Sequence, residues 1–149
     1  MKKILFVCHG NICRSPMAEF VMRDMAKREK IDVYVSSAAT SNEEIGNPVH
    51  RGTRAKLAEF GIDTSGKYAV RMTKEDYEKY DYIIGMDSAN IRNIMYIIGE
   101  DTKSKVSKLL SFAGSDKDIS DPWYTGDFDK TYEDVCKGCK GFIEKIKRL

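Results

Sequence analysis

Ile4-Leu5-Phe6-Val7-Cys8 runs directly into His9-Gly10-Asn11-Ile12-Cys13-Arg14-Ser15-Pro16. The first five residues form a short continuous apolar run closed by a turn signal, the pattern of a strand covered on both faces. Ser15-Pro16 supplies a helix N-cap and a first-turn proline. Ala18, Val21, Met22 and Met25 then continue as a helical stripe. Strand, tight loop and helix in immediate succession open a β-α-β unit, and this stretch therefore decides the fold.

The rest of the chain repeats the alternation. Val33-Tyr34-Val35-Ser36 reads as a second strand, and residues 51–60 as a helix stopped by Gly61. Tyr82-Ile83-Ile84-Gly85-Met86 reads as a third strand, followed by a helix over Ser88 to Ile98. A fourth strand is expected around 106–112 and a last helix over 129–148. This order predicts one α/β domain over 1–149: a parallel four-stranded sheet with helices on both faces. Parallel sheets place ligands beyond the carboxyl ends of their strands, which directs attention to the loop after Cys8.

Composition narrows the class. With 149 residues, 42% hydrophobic and 32% charged, the chain has the balance of a packed domain and not of a disordered tail. Lys and Arg number 25 against 23 Asp and Glu, a net charge of +2, so electrostatics make no case for a nucleic-acid partner. The run at residues 4–7 is too short for a membrane span or a signal-peptide core. Four cysteines in two pairs, Cys8 with Cys13 and Cys136 with Cys139, suit a reducing compartment, and the expectation is a cytoplasmic protein. A four-thiolate zinc site is conceivable, but the first pair has the wide end of finger spacing and the second sits in a helical pattern: Cys139, Phe142, Ile143, Ile146 and Leu149 follow an apolar stripe with Tyr132, Val135 and Cys136 beside it. Packing is the reading for Cys136 and Cys139.

Each part of the loop from Cys8 to Ser15 has a physical use. Backbone N–H groups curling ahead of a helix make an anion nest, and the helix dipole adds positive potential. Gly10 and Asn11 are the residue types that best tolerate left-handed backbone angles. Arg14 presents a planar fork that matches two phosphate oxygens. The same field favours the ionised form of Cys8, as at other thiols beside a helix N-terminus and a guanidinium. The Ser15 hydroxyl can donate to that sulfur, in the thiolate and as a leaving group alike. The whole reads as a phosphate-binding loop, Cys8 through Ser15, carrying a nucleophile and no metal. The competing reading of Cys8 is a strand-end cysteine that fills the core.

Cys-x5-Arg-Ser with Gly-Asn inside resembles the loop of the low-molecular-weight protein tyrosine phosphatase family. The resemblance extends over nearly the whole chain. Ser36-Ser37-Ala38-Ala39-Thr40-Ser41, Thr73-Lys74-Glu75-Asp76, Tyr82-Ile83-Ile84-Gly85-Met86-Asp87 and Asp121-Pro122-Trp123-Tyr124 follow in the family's order. It implies hydrolysis of phosphotyrosine monoesters on proteins or peptides through a phosphocysteine intermediate. It implies no cofactor, and inhibition by phosphate-like oxyanions. It implies that Asp121 is the general acid, that Pro122 stiffens its segment and that Trp123 and Tyr124 wall the cleft. It also implies that Asn11, Ser37 and Asn90 brace the loop, and that Cys13 can bridge reversibly to Cys8 under oxidation. Without the resemblance, Asp121 would read as a turn residue before proline, and Ser37 and Asn90 as ordinary caps.

The sequence departs from the family at the rim. Glu43 stands where an aromatic is common, and His9 where an aliphatic or small residue is usual; His9 also reads as a rim side chain without a chemical role. The segment Gly66-Lys67-Tyr68-Ala69-Val70-Arg71 differs in its basic residues. Three other functions compete. Arsenate reduction on this fold relays electrons through further cysteines, and residues 14–135 contain none. A protein-arginine phosphatase favours Thr where this chain has Ile12, and a branched aliphatic there leaves room for a flat ring. A non-catalytic oxyanion-binding module would have no need of Cys8, Arg14 and Asp121 together.

Overall fold

The computed structural model describes residues 1–149. Strand β1 (Lys2–Cys8) lies between β2 (Val33–Ala39) and β3 (Tyr82–Gly85), and β4 (Val106–Lys108) pairs with the outer edge of β3. All three pairings are parallel, in the order β2-β1-β3-β4. The parallel four-stranded sheet anticipated above is therefore the sheet observed.

Alternation along β1 divides the core in two. Ile4, Phe6 and Cys8 face helix α1 (Arg14–Arg28) and the long helix α6 (Phe128–Lys147), where Met17, Val21, Val135 and Phe142 complete the larger cluster. Leu5 and Val7 face the other way, onto Tyr77 of the single-turn helix α3 (Asp76–Lys79) and Ile94 and Ile98 of α4 (Ser88–Ile98). Helix α2 (Arg51–Ala58) and a second single-turn helix, α5 (Pro122–Thr125), complete the set.

Several boundaries differ from the sequence reading. Helix α1 starts two residues early, so Cys13 and not Ser15 occupies the N-cap position, with no side-chain cap. Pro16 still falls in the first turn, where its missing N–H leaves no bond unmade. Strand β2 runs on to Ala39, and α2 ends at Ala58 ahead of Gly61. Leu149 lies beyond α6 and is exposed, so the terminal member of the proposed stripe leaves the core.

The segment 106–112 is the largest correction. Only Val106–Lys108 is strand; Leu109–Ala113 is a 3-10 turn. A strand would send Leu109 and Leu110 to opposite faces, whereas the turn buries both. It can do so because α6 presents Gly138 and Gly141 to it. A Cβ on Gly138 would run into the Leu109 side chain, and one on Gly141 into the Phe112 main chain. Phe112 then stacks on Phe142 with centroids 4.0 Å apart.

Candidate active site

The carboxyl ends of β1 and β3, the start of α1 and the start of α5 meet at one edge of the sheet. Cys8 closes β1 with its sulfur buried beneath the first turn of α1. The Ser15 N–H points at Cys8 Sγ from 3.4 Å, and Ser15 Oγ lies 3.0 Å from the same atom. Asn11 adopts φ 59°, the left-handed conformation that turns the loop back on itself. Gly10 does not share that conformation. Its lack of a side chain instead leaves space for Glu44, whose Cγ would sit 3.3 Å from a Cβ there.

The loop is held from outside. Asn11 Nδ2 donates to Ser15 Oγ at 2.8 Å and to Ser37 Oγ at 3.0 Å, while its Oδ1 accepts the Val70 N–H at 3.1 Å. Ser37 Oγ in turn donates to buried Glu19 at 2.5 Å. With Asn11 donating into Ser15 Oγ, the hydroxyl proton of Ser15 is left for the Cys8 sulfur. On the far side, His50 N–H donates to the Ile12 carbonyl at 2.8 Å and Thr53 Oγ1 to the Cys13 carbonyl at 3.1 Å. These bonds occupy loop carbonyls on the outside of the curl.

Arg14 is buried and bound on three sides. Nη1 donates to Asp87 at 2.6 Å and to the Ile119 carbonyl at 2.8 Å, and Nη2 reaches Asp121 Oδ2 at 3.4 Å. Burial works against its charge, but Cys8, Asp87 and Asp121 outweigh it and push the guanidinium further up. Its Nε is buried without an acceptor in the protein. Asp121 is itself the N-cap of α5, Oδ1 accepting the Trp123 N–H at 3.1 Å.

Cys8, Ile12, Cys13, Arg14 and Asp121 line a cavity of about 100 Å³ whose walls include His9, Gly10, Glu43, Glu44, Trp123 and Tyr124. Trp123 and Tyr124 stand at the mouth, 56% and 82% exposed. His9 Nε2 and Glu43 Oε2 meet at 3.0 Å across the rim, both side chains exposed, so the two departures form one solvated pair. Cys13 is a free thiol, as are the other three cysteines. Burial, then the charges of Cys8 and Asp121, push Cys13 up to about 12.

No three of the cysteine, histidine and carboxylate side chains converge as a metal-ligand set. No helix is long and apolar enough to cross a membrane.

A family model for low molecular weight phosphotyrosine protein phosphatase matches residues 3–149. The chain belongs to that family. The low molecular weight protein-tyrosine-phosphatase YfkJ of Bacillus subtilis is 36% identical over 152 residues, covering 99% of this chain and 97% of the relative. The crystal structure of YfkJ superposes with a TM-score of 0.95 at 38% identity, covering 99% of this chain and 96% of that one. The low molecular weight phosphotyrosine protein phosphatase of Gallus gallus is 40% identical, covering 97% of this chain and 96% of the relative. A Drosophila arginine phosphatase shares the fold with a TM-score of 0.90 at 29% identity, covering 99% of this chain and 98% of that one.

Within this low molecular weight phosphatase, the residues singled out from the sequence fall in three groups. Of the loop, Cys8, His9, Gly10, Ile12, Cys13 and Arg14 line the cavity together with Asp121, Glu43, Trp123 and Tyr124, while Asn11 and Ser15 are buried off its wall. Ser37 lies behind the loop. Asn90 sits elsewhere: its Oδ1 accepts the Met86 and Asp87 N–H groups at 3.0 and 3.2 Å, and its own N–H donates to Asp87 at 2.7 Å. It therefore braces Asp87, the Arg14 partner, and not the loop itself. Asp87, Glu19 and Glu44 were not singled out. Asp87 had a usable signal, because it directly follows the third strand at the same carboxyl edge as Cys8. Glu19 and Glu44 had none, being one helical carboxylate and one loop carboxylate among many.

Proposed function

We propose that this protein is a protein tyrosine phosphatase that hydrolyses phosphotyrosine monoesters through a phosphocysteine on Cys8. The observation that carries this reading is the convergence of Cys8, Arg14 and Asp121 on one small cavity. The cavity takes the phosphoryl group, and the exposed faces of Trp123 and Tyr124 lie where the aryl ring would emerge. Loop amides and the free edge of the Arg14 guanidinium hold the non-bridging oxygens.

The reaction runs in two steps. The Cys8 sulfur attacks phosphorus, forming the S–P bond as the P–O bond to tyrosine breaks, and Asp121 gives its proton to the departing phenol oxygen. Ser15 stabilises the sulfur by its hydroxyl and its N–H. Asp121, now a carboxylate, then takes a proton from water as that water attacks phosphorus, and Cys8 leaves with the electron pair. The residues supply every group this sequence needs, without a metal or cofactor. Asp87 holds Arg14 in register, and Asn90 holds Asp87.

Cys13 fits a redox role toward Cys8. Its protonated thiol is a weak attacker. Two-electron oxidation of the Cys8 sulfur by a peroxide gives a neutral sulfenic acid and removes the charge that helps keep Cys13 protonated; Cys13 then attacks that sulfur, and water leaves as the disulfide forms. A reversible Cys8–Cys13 bridge is then the protected state.

Peptides carrying phosphotyrosine, phosphoserine or phosphoarginine, assayed on wild type and Asp121→Ala, test substrate class. The reading predicts fastest hydrolysis of phosphotyrosine, with a loss of about 10²–10⁴-fold in the variant. Ile12 gives the cavity wall an aliphatic surface and no hydroxyl. Phosphoarginine hydrolysis at or above the phosphotyrosine rate would overturn the assignment in favour of an arginine phosphatase.

A further inference from the structure

His50 joins four parts of the site and belongs to none of the groups above. Its N–H donates to the Ile12 carbonyl of the loop at 2.8 Å. Its imidazole is the N-cap of α2, Nδ1 accepting the Gly52 N–H at 3.0 Å, which places the ring proton on Nε2. The same ring stacks on Phe128, the first residue of α6, with centroids 5.3 Å apart and planes 13° from parallel. Its other neighbour is Trp123, met edge-to-face at 5.6 Å and 75°. The main-chain N–H of Trp123 in turn donates to Asp121 Oδ1.

We propose that His50 is a positioning residue for Asp121: its neutral imidazole, tied to α2 and packed on Phe128, sets Trp123 and through it the carboxyl that exchanges the proton. The inference rests on the general-acid role assigned to Asp121 above. The chain of contact is ring to ring to amide to carboxyl, each link short enough to restrict the next. Pro122 is buried and Arg14 reaches Asp121 Oδ2, but Trp123 is more than half exposed and its ring has aromatic contact with His50. A proton on Nδ1 would remove the acceptor that holds the ring. Burial lowers the His50 pKa, as do the charges of Arg51 and Arg54, against the opposing carboxylates of Glu44 and Asp121. The acceptor form is thus favoured by its surroundings.

Two substitutions separate the cap from the ring. His50→Asn keeps a good N-cap and removes the aromatic contact. His50→Phe keeps an aromatic face and removes the acceptor. The measurement is kcat/KM at pH 7 for phenyl phosphate, whose leaving group needs a proton, and for 2,4-dinitrophenyl phosphate, whose leaving group does not. His50→Asn is expected to lose about 10-fold on phenyl phosphate and less than about twofold on the dinitrophenyl ester, a fraction of what a positioned acid is worth. His50→Phe keeps the ring contact but loses the tie to α2, so it is expected to lose less than His50→Asn on phenyl phosphate, to spare the dinitrophenyl ester and to show a lowered unfolding temperature. Because Trp123 is the single tryptophan of the chain, its fluorescence anisotropy reads the same segment directly. It should fall in His50→Asn and fall less in His50→Phe.

Equal losses on both esters, or no loss on either, in His50→Asn would overturn the proposal. So would a Phe variant as selective in its loss as the Asn variant. Asp121→Ala run alongside keeps the two readings apart. If it fails to discriminate between the esters, the acid assignment falls and the proposal with it. If it discriminates and His50→Asn does not, the proposal alone falls.

Discussion

At the scale of single residues, two sulfurs five positions apart are given opposite environments. Cys8 receives donors: the Ser15 hydroxyl, the Ser15 N–H and the nearby Arg14 charge. Cys13 is buried beside the negative charges of Cys8 and Asp121. Replacing Cys8 with Ser should abolish turnover while leaving the anion cradle intact. Calorimetric titration with phosphate or vanadate is expected to show binding in the variant, and measurable turnover by Cys8→Ser would contradict the nucleophile assignment. For Cys13 the consequence is a pH dependence. Its thiol stays protonated in the folded chain up to about 12, while the unfolded chain releases that proton near the ordinary value of 9.0. Between those values the unfolded state binds fewer protons, so stability falls as pH rises. Urea unfolding of wild type and Cys13→Ala at pH 8 and pH 10.5 should therefore show the smaller alkaline loss in the variant; equal losses would contradict it.

At the scale of elements, the site is assembled from the ends of pieces whose middles are ordinary core. Strand β1 delivers Cys8 because Ile4 to Cys8 are buried on both faces of the sheet and paired on both edges, with β2 and β3. Helix α6 matters through its glycines. Gly138 and Gly141 admit the 3-10 turn against the helix, and that turn begins the segment that leads on to Ile119 and Asp121. An alanine at 141 gains helix propensity of about 1 kcal/mol. It also drives a methyl into the Phe112 main chain, which cannot rotate aside, and overpacking of this kind costs about 1–3 kcal/mol. Gly141→Ala should lower the unfolding temperature by calorimetry without changing kcat per folded molecule; an unchanged or raised temperature would show that the turn can give way.

At the scale of the whole molecule, the fold and the nucleophile loop were legible in the sequence for the same reason. Residues 4–16 carry their instructions locally: an apolar run, residues suited to a tight curl and a first-turn proline. Boundaries that depend on distant partners were not legible. The turn at 109–113 exists because two glycines some thirty positions later make room for it, and no window around Leu109 contains that information. The cap at Cys13 has no cap chemistry of its own; Ser15, the better capping residue, is drawn to the sulfur instead. Asp121 had no signal in its own neighbourhood beyond a turn, and only the resemblance marked it. Asp87 and His50 act through contacts across the fold, with Arg14 and with Trp123; Asp87 is marked in sequence only by its place after the third strand, and His50 by nothing.

The central claim is that the phosphoryl group passes through Cys8 before reaching water. Stopped-flow mixing with excess para-nitrophenyl phosphate, followed by mass analysis of the peptide carrying Cys8 after rapid quenching, tests it directly. The account predicts a burst of nitrophenol approaching one equivalent per enzyme together with a gain of about 80 Da on Cys8, the fingerprint of a covalent intermediate. Linear release from the first turnover, with Cys8 unmodified and activity retained by Cys8→Ser, would contradict it.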